Sequence, residues 1–275
     1  MPTLLLNTIA LEPNRWTSTK QPHRPLEVLL PRLAEAGFND LEIWQHHVST
    51  LGPAARPRIA EAFQRHGLQA HVIGWYPAFH TQGNDAAAQR SSLDEAIQWA
   101  RALGAGFFKI FPGAVAYDHL GQADRERSID ALRRFTDRAA DAGLVVTAET
   151  HENTLADSVE HALDMLARVG HPALQLCFQP LDLADTEQAI EDFDRLAPHV
   201  AHLHIQGRRN DVFAPLRQSD LNWPHLLQHI SATGFTGPVC LEFVAGCVSE
   251  TPEALDLSAV LQQARDDWEV LERWL

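Results

Sequence analysis

Eight short apolar runs recur along the chain, each ending in polar or aromatic residues and each leading into an amphipathic segment. They are TLLLNT at Thr3, LEIW at Leu41, AHVIGW at Ala70, FFKIF at Phe107, LVVTAE at Leu144, LQLCF at Leu174, VAHLHI at Val200 and PVCLEF at Pro238. Near-continuous apolar runs of this length suit strands buried on both faces. The segments between them read as helices. "LEVLLPRLAEAGF" has apolar residues at helical spacing and stops at Gly37, with Pro31 predicting a kink or a later start. "SSLDEAIQWARALGAG" opens on a Ser and Asp capping region and stops at Gly104. "DRERSIDALRRFTDRAADAGL" stops at Gly143, and "TLADSVEHALDMLARVGHP" stops at Gly170 with Pro172 soon after.

Eight strand–helix alternations with short connections predict an α/β fold with a parallel sheet. An open doubly wound sheet is the rival, but no G-x-G-x-x-G or Walker pattern follows any run. Closure is therefore expected: a (β/α)8 TIM barrel, one domain over residues 1–275 with no linker-like stretch. Apolar residues make up 45 % of the 275, enough for a sizeable core. The 22 basic residues face 36 acidic ones, a net charge of −14, which repels phosphate backbones and argues against a nucleic-acid partner. Cys177, Cys240 and Cys247 form no C-x-x-C pair, so no thiolate zinc site or disulfide framework is expected. The N-terminal apolar run is too short for a signal peptide and no stretch approaches the roughly 20 apolar residues of a membrane span. A cytoplasmic protein with no membrane partner is expected.

Barrel active sites lie at the C-terminal ends of the strands, so the residues closing each run matter most. The fifth run enters "VVTAETHENT", where Glu149, His151, Glu152 and Asn153 crowd a buried strand end. An ionised carboxylate there costs several kcal/mol unless it is paired or bound to a cation. The sixth run ends at Gln179, the seventh at His204 and the eighth at Glu242. These belong to neighbouring strands and can converge. Two carboxylates, an amide oxygen and an imidazole form a mixed shell for a divalent cation: Mn²⁺ first, with Mg²⁺, Co²⁺ and Zn²⁺ as alternatives. A single glutamate at a strand end is more often solvated or salt-bridged; four suitable groups at successive ends are not a common accident.

"AETHENT", "HLHIQG" and "GFTGPVCLEF" resemble the fifth, seventh and eighth strand motifs of the xylose-isomerase-like TIM-barrel superfamily, and "LRQSDLNWPHLLQHISATGFTGPV" resembles its stretch before the last strand. The resemblance runs from the first strand to the last helix and is most specific after Leu144. That superfamily includes sugar phosphate isomerases/epimerases, inosose dehydratases, ketose 3-epimerases and endonuclease-IV-type nucleases. The resemblance implies metal ligands at Glu149, Gln179, His204 and Glu242. Two departures stand out. Many members end the sixth strand in an aspartate followed three residues later by a histidine, where this chain has Gln179 and Asp182; relatives often carry an aspartate at the position of Gly207.

The expected chemistry is proton abstraction next to a carbonyl, giving an enediolate, with Glu149 and Glu242 as the catalytic pair on opposite sides of the substrate. Substrate contacts are expected from Glu42, Trp44, His71, Trp75, Lys109, His151 and Arg208, because aromatic faces suit sugar C–H surfaces and polar groups suit hydroxyls. His202, two residues before His204, reads as a packed residue deeper in the barrel, and His46 and His47 as a solvated loop. The leading function is a sugar isomerase/epimerase acting on a small, unphosphorylated carbohydrate. A keto-sugar or inosose dehydratase, lyase or hydratase is the alternative on the same site. An endonuclease-IV-like phosphodiesterase fits less well, lacking the sixth-strand Asp–His pair; a non-catalytic sugar-binding protein and a homo-oligomer are left open.

Overall fold

The computed structural model describes residues 2–13, 15 and 20–275. All eight apolar runs are strands: β1 (Leu4–Asn7), β2 (Asp40–Ile43), β3 (Gln69–Trp75), β4 (Phe107–Ile110), β5 (Val145–Glu149), β6 (Leu174–Phe178), β7 (Val200–Gln206) and, after a two-strand hairpin of β8 (Arg208–Arg209) and β9 (Val212–Phe213), β10 (Val239–Phe243). The eight longer strands pair in parallel and close into a ring in which β1 lies between β10 and β2. Closure follows from the absence of any polar edge strand: every run is apolar enough to be covered on both sides. The helices α1 (Leu26–Glu35), α2 (Gln45–Ser49), α3 (Arg56–His66), α4 (Gly83–Leu103), α5 (Gln122–Asp141), α6 (Val159–Val169), α7 (Thr186–Leu196), α8 (Trp223–Ala232) and α9 (Leu257–Trp274) wrap the outside. The result is a single-domain (β/α)8 barrel.

Two apolar cores result. The large one fills the space between strands and helices, and a small one of Leu5, Val72 and Cys240 plugs the barrel interior beneath the site. Helix α1 shows how the outer core forms. Leu26, Leu29, Leu30 and Leu33 recur at helical spacing and are fully buried. Each contributes about 1.5–3 kcal/mol relative to exposure, enough to carry the helix through Pro31. The helix starts five residues before that proline, so the expected later start does not occur. Helix α4 also starts earlier than its Ser and Asp residues suggested. Ser92 lies inside it, and its Oγ accepts a bond from Trp75 Nε1 (3.1 Å) instead of capping. At the end of α6, Gly170 adopts φ +63°, a left-handed conformation that closes the helix with its N–H on Leu166 O.

Gly207 explains one departure from the family pattern. A Cβ there would lie 2.2 Å from Ala214 O, because the chain folds back through β8 and β9. Ala214 N–H donates to Gly207 O (2.9 Å), holding this close approach. An aspartate has no room at that position.

Asp267 on α9 is 1 % exposed, and Leu216 N–H donates to its Oδ1 (2.8 Å). Burial pushes its pKa from 3.8 up to about 6. The folded-state value lies above the unfolded one, so the protonated form is favoured on folding. The penalty is absent below about pH 4 and complete above about pH 6. Asp267→Asn is expected to stabilise the fold by about 2–3 kcal/mol at pH 8 and by little at pH 4. Urea denaturation at the two pH values checks this; a pH-independent difference would contradict it.

Candidate active site

Parallel strands place all C-terminal ends at one mouth of the barrel, and their period of two turns alternate side chains inward. On β7 the inward set is His202, His204 and Gln206; from β2, β4, β5 and β10 come Glu42, Lys109, Glu149 and Glu242. Gly74 on β3 leaves room for this layer, since a Cβ there would touch Glu42 Oε1 (3.4 Å) and Lys109 Cε (3.6 Å).

His204 is the pivot. Its Nε2–H donates to the Glu42 carboxylate, at 3.0 Å from Oε2 and 3.2 Å from Oε1. Glu42 is itself fixed by Asn7 Nδ2–H on Oε1 (3.0 Å), with His202 Nε2 at 3.2 Å from Oε2. A proton on Nε2 leaves the Nδ1 lone pair facing the mouth. There Nδ1 lies 3.4 Å from Glu149 Oε1 and 3.5 Å from Glu242 Oε2. Among the described residues, neither His204 Nδ1 nor Glu149 Oε1 has a hydrogen-bond partner, although both are buried. The three groups together have ligand atoms within 4.8 Å of one another. Unpartnered lone pairs from one imidazole and two carboxylates, converging out of water, require a positive charge between them. The buried Glu–His–Glu cluster therefore fits a divalent metal site.

Electrostatics agree. Burial opposes ionisation of Glu149, but the Lys109 ammonium and His204 outweigh it and bring its pKa down to about 2. Glu42 is likewise held well below the usual carboxylate range by His204 and His202 against its burial. Burial disfavours a charged His204, yet Cys177, Glu42, Glu149 and Glu242 around it raise its pKa well above the ordinary value. Without a cation, a proton takes its place. Metal binding must then release that proton, so Mn²⁺ affinity is expected to rise about tenfold per pH unit between pH 6 and 7.5. Calorimetric titration across that range checks it, and a flat profile would contradict it.

Lys109 is fully buried, and its Nζ donates to Glu149 Oε2 (2.6 Å) beside the rings of Tyr76 and Phe111. Glu149 and Glu242 were expected to act as a catalytic pair; in Glu149, Oε2 is taken by Lys109 and is not free to move a proton. Glu242, by contrast, reaches the open cavity of about 450 Å³ lined by Trp44, Tyr76, Phe111, His151, Arg208 and Phe243. A second, polar cavity of about 370 Å³ adjoins it over Thr150, His151, Gln179, Gln206 and Arg208. Gln179 is 5 % exposed, and its Oε1, the atom expected to ligate, accepts from Gln206 Nε2 (2.8 Å).

Four of the expected substrate contacts do not line these cavities; one is Lys109, fully buried against Glu149. His71 lies in the first half of β3 and pairs with Asp40 (2.6 Å) beside a cavity that includes Thr3, Phe107 and Val145, at the opposite end of the barrel. Trp75 faces outward against α4 and is 2 % exposed, because it has the opposite parity to Gly74 on the same strand. Glu42 is fully buried beneath His204 and orients that ring, out of a substrate's reach. His47 is also buried, bonded to Thr8 Oγ1 (3.0 Å) and not part of a solvated loop. Trp44, His151 and Arg208 line the mouth. Arg15, Lys20, Phe243 and Gln206 line it too and were not anticipated. The inward parity of Gln206 with His202 and His204 was the available signal; Arg15 and Lys20 lie in the loop after β1, which carries no motif.

A family model described as xylose isomerase-like TIM barrel matches residues 30–268. The 3-dehydroshikimate dehydratase of Bacillus anthracis is 24 % identical over 227 residues, covering 72 % of this chain and 79 % of that one. The L-ribulose-5-phosphate 3-epimerase UlaE of Escherichia coli (strain ATCC 8739) is 23 % identical over 194 residues, 68 % of this chain and 66 % of its own. The D-psicose 3-epimerase structure with D-tagatose from Clostridium cellulolyticum H10 superposes with a TM-score of 0.76 at 14 % identity, covering 99 % of both chains. At that identity the structural likeness carries the fold. With most of its length matched by the family model, the chain belongs to the xylose isomerase-like TIM-barrel family.

Proposed function

We propose that this protein is a divalent-metal-dependent enzyme that moves a proton next to the carbonyl of a small polyhydroxylated substrate, as a sugar isomerase/epimerase does. The observation carrying this reading is the unpartnered convergence of Glu149 Oε1, His204 Nδ1 and Glu242 Oε2 under an open, aromatic-lined cavity. Those three residues would hold the cation, with Mn²⁺ preferred for the mixed O/N donor set. When bound, it supplies Lewis acidity that polarises a carbonyl and stabilises charge developing beside it.

The rest falls to the chain's own groups. Glu242, at the cavity floor, is the base that takes the proton from the carbon next to the carbonyl. Glu149, with Oε2 held by Lys109, anchors and neutralises rather than shuttles, and the Lys109 ammonium adds positive potential where an enediolate oxygen would carry charge. Glu42 fixes the His204 ring, and the Trp44, Tyr76 and Phe111 rings offer faces to the C–H side of the substrate while excluding water. Returning the proton from Glu242 to the neighbouring carbon on the same face gives isomerisation; epimerisation needs a proton delivered to the opposite face of the same carbon, which a water molecule in the cavity would supply.

Dehydration is the second reading, favoured by the Lys109–Glu149 pair. With one Glu149 oxygen engaged by Lys109, Glu242 is the unencumbered base, and the proton it takes can be passed to the β-hydroxyl on the same face, which leaves as water. The dehydratase among the relatives supports keeping it. A screen of ketoses, keto-sugars and inososes in D₂O with Mn²⁺, read by NMR after chelation, tests the proposal. Loss of a C–H signal beside the carbonyl is expected, and the product separates the outcomes. No exchange with any class would contradict the reading.

A further inference from the structure

We infer that Gln179 is a substrate-binding donor rather than a fourth metal ligand, and that Arg208 sets its orientation through Gln206. This rests on the metal reading above and deepens it. Arg208 Nε–H, which can only donate, points at the side-chain amide of Gln206 at 3.2 Å. The atom it meets must be the acceptor, Oε1, which turns Gln206 Nε2 the other way. That NH₂ group in turn can only donate, so the atom of Gln179 it meets at 2.8 Å must be Oε1. One guanidinium therefore fixes the polarity of two successive amides.

The chain of bonds is rigidly held. Gln206 is 3 % exposed, and its backbone carbonyl accepts Trp223 Nε1–H (3.0 Å). The Arg208 guanidinium stacks on Phe213 (4.6 Å), which the β8–β9 hairpin brings alongside it. The hairpin in turn depends on the close approach at Gly207.

One lone pair of Gln179 Oε1 is thus taken by Gln206, and the residue lines the polar cavity of about 370 Å³ with Thr150, His151 and Arg208, to which we assign its NH₂ group. It does not line the neighbouring cavity into which Glu242 opens. An NH₂ group cannot ligate a cation but donates well to an oxygen, so the complementary ligand is a hydroxyl or carbonyl oxygen at the substrate's far end. The protein ligand set is then Glu149, His204 and Glu242, leaving the remaining positions to water or substrate.

Mn²⁺ titration by calorimetry, with the metal alone as probe, tests this in the full chain. Wild type is expected to bind one Mn²⁺. Glu149→Gln and His204→Gln are expected to weaken it more than 100-fold, whereas Gln179→Ala and the near-isosteric Gln179→Met should stay within fivefold of wild type. A loss beyond fivefold in both Gln179 variants, with unchanged circular dichroism, overturns the inference. Failure of wild type to bind Mn²⁺ overturns the metal reading itself, and this assignment with it. The relay has its own readout in the side-chain amide signals of ¹⁵N-labelled protein, assigned by their loss in Gln179→Met and Gln206→Met. Arg208→Met should shift both amide pairs and Arg208→Lys, which keeps a donor, should largely preserve them. Amide signals indifferent to Arg208→Met overturn the positioning role.

Discussion

Glu242→Gln is expected to lower turnover by about 10²–10⁴-fold, the range for removing a general base, and further if the cation is also held less tightly. The fold should be unaffected. Glu242 is 4 % exposed at the floor of the cavity, and its Oε2 lies 3.5 Å from His204 Nδ1. Neutralising it removes negative charge from an already acidic centre and leaves no buried cation without a counter-charge. Steady-state kinetics at saturating Mn²⁺, with circular dichroism and a melting curve on the same sample, check this. Activity within tenfold of wild type would show that another group takes the proton.

The largest effect on stability is expected at Lys109. Its ammonium and the Glu149 carboxylate form a fully buried pair at 2.6 Å. Burial alone would suppress the charge on Lys109, yet Glu149, Tyr76, Glu42 and Glu242 hold its pKa well above the ordinary value. Lys109→Met keeps much of the side-chain volume but strands the Glu149 charge in the barrel interior. Breaking a buried pair in this way costs about 3–5 kcal/mol. Because a divalent cation at Glu149 would supply replacement positive charge, the deficit should shrink when Mn²⁺ is present. Urea denaturation with EDTA and then with Mn²⁺ measures both quantities. A loss under 1 kcal/mol in EDTA, or a deficit that Mn²⁺ leaves unchanged, would contradict the account.

Much of the fold could be read from periodicity, because each apolar run had to be covered on both faces and each amphipathic stretch on one. All eight runs fall on barrel strands. Helix starts were less legible. The residues before Ser91 in α4, including three consecutive alanines, form helix readily, so the capping signal at the serines was overridden. The convergence of Glu149, His204 and Glu242 followed from their shared level at strand ends, and the structure brings those three together. Gln179 follows the end of β6, two residues beyond Cys177, the partner of Glu149, and its amide orientation depends on Gln206 and Arg208 from the next strand and its hairpin.

What could not be read was which partner Glu42 would take. Glu42 and His204 are 162 positions apart, yet they lie within hydrogen-bond distance across the barrel. His71 and Trp75 were misplaced for simpler reasons. His71 stands at the wrong end of its strand, and Trp75 has outward parity; counting in twos from Gly74 would have caught the second.

The central claim is that Glu149, His204 and Glu242 close on one divalent cation, and anomalous diffraction from crystals soaked in Mn²⁺ tests it most directly. The predicted result is one strong peak on the order of 2.2 Å from Glu149 Oε1, His204 Nδ1 and Glu242 Oε2. A map with no peak among these three side chains, or with the manganese seated elsewhere in the barrel, would contradict it.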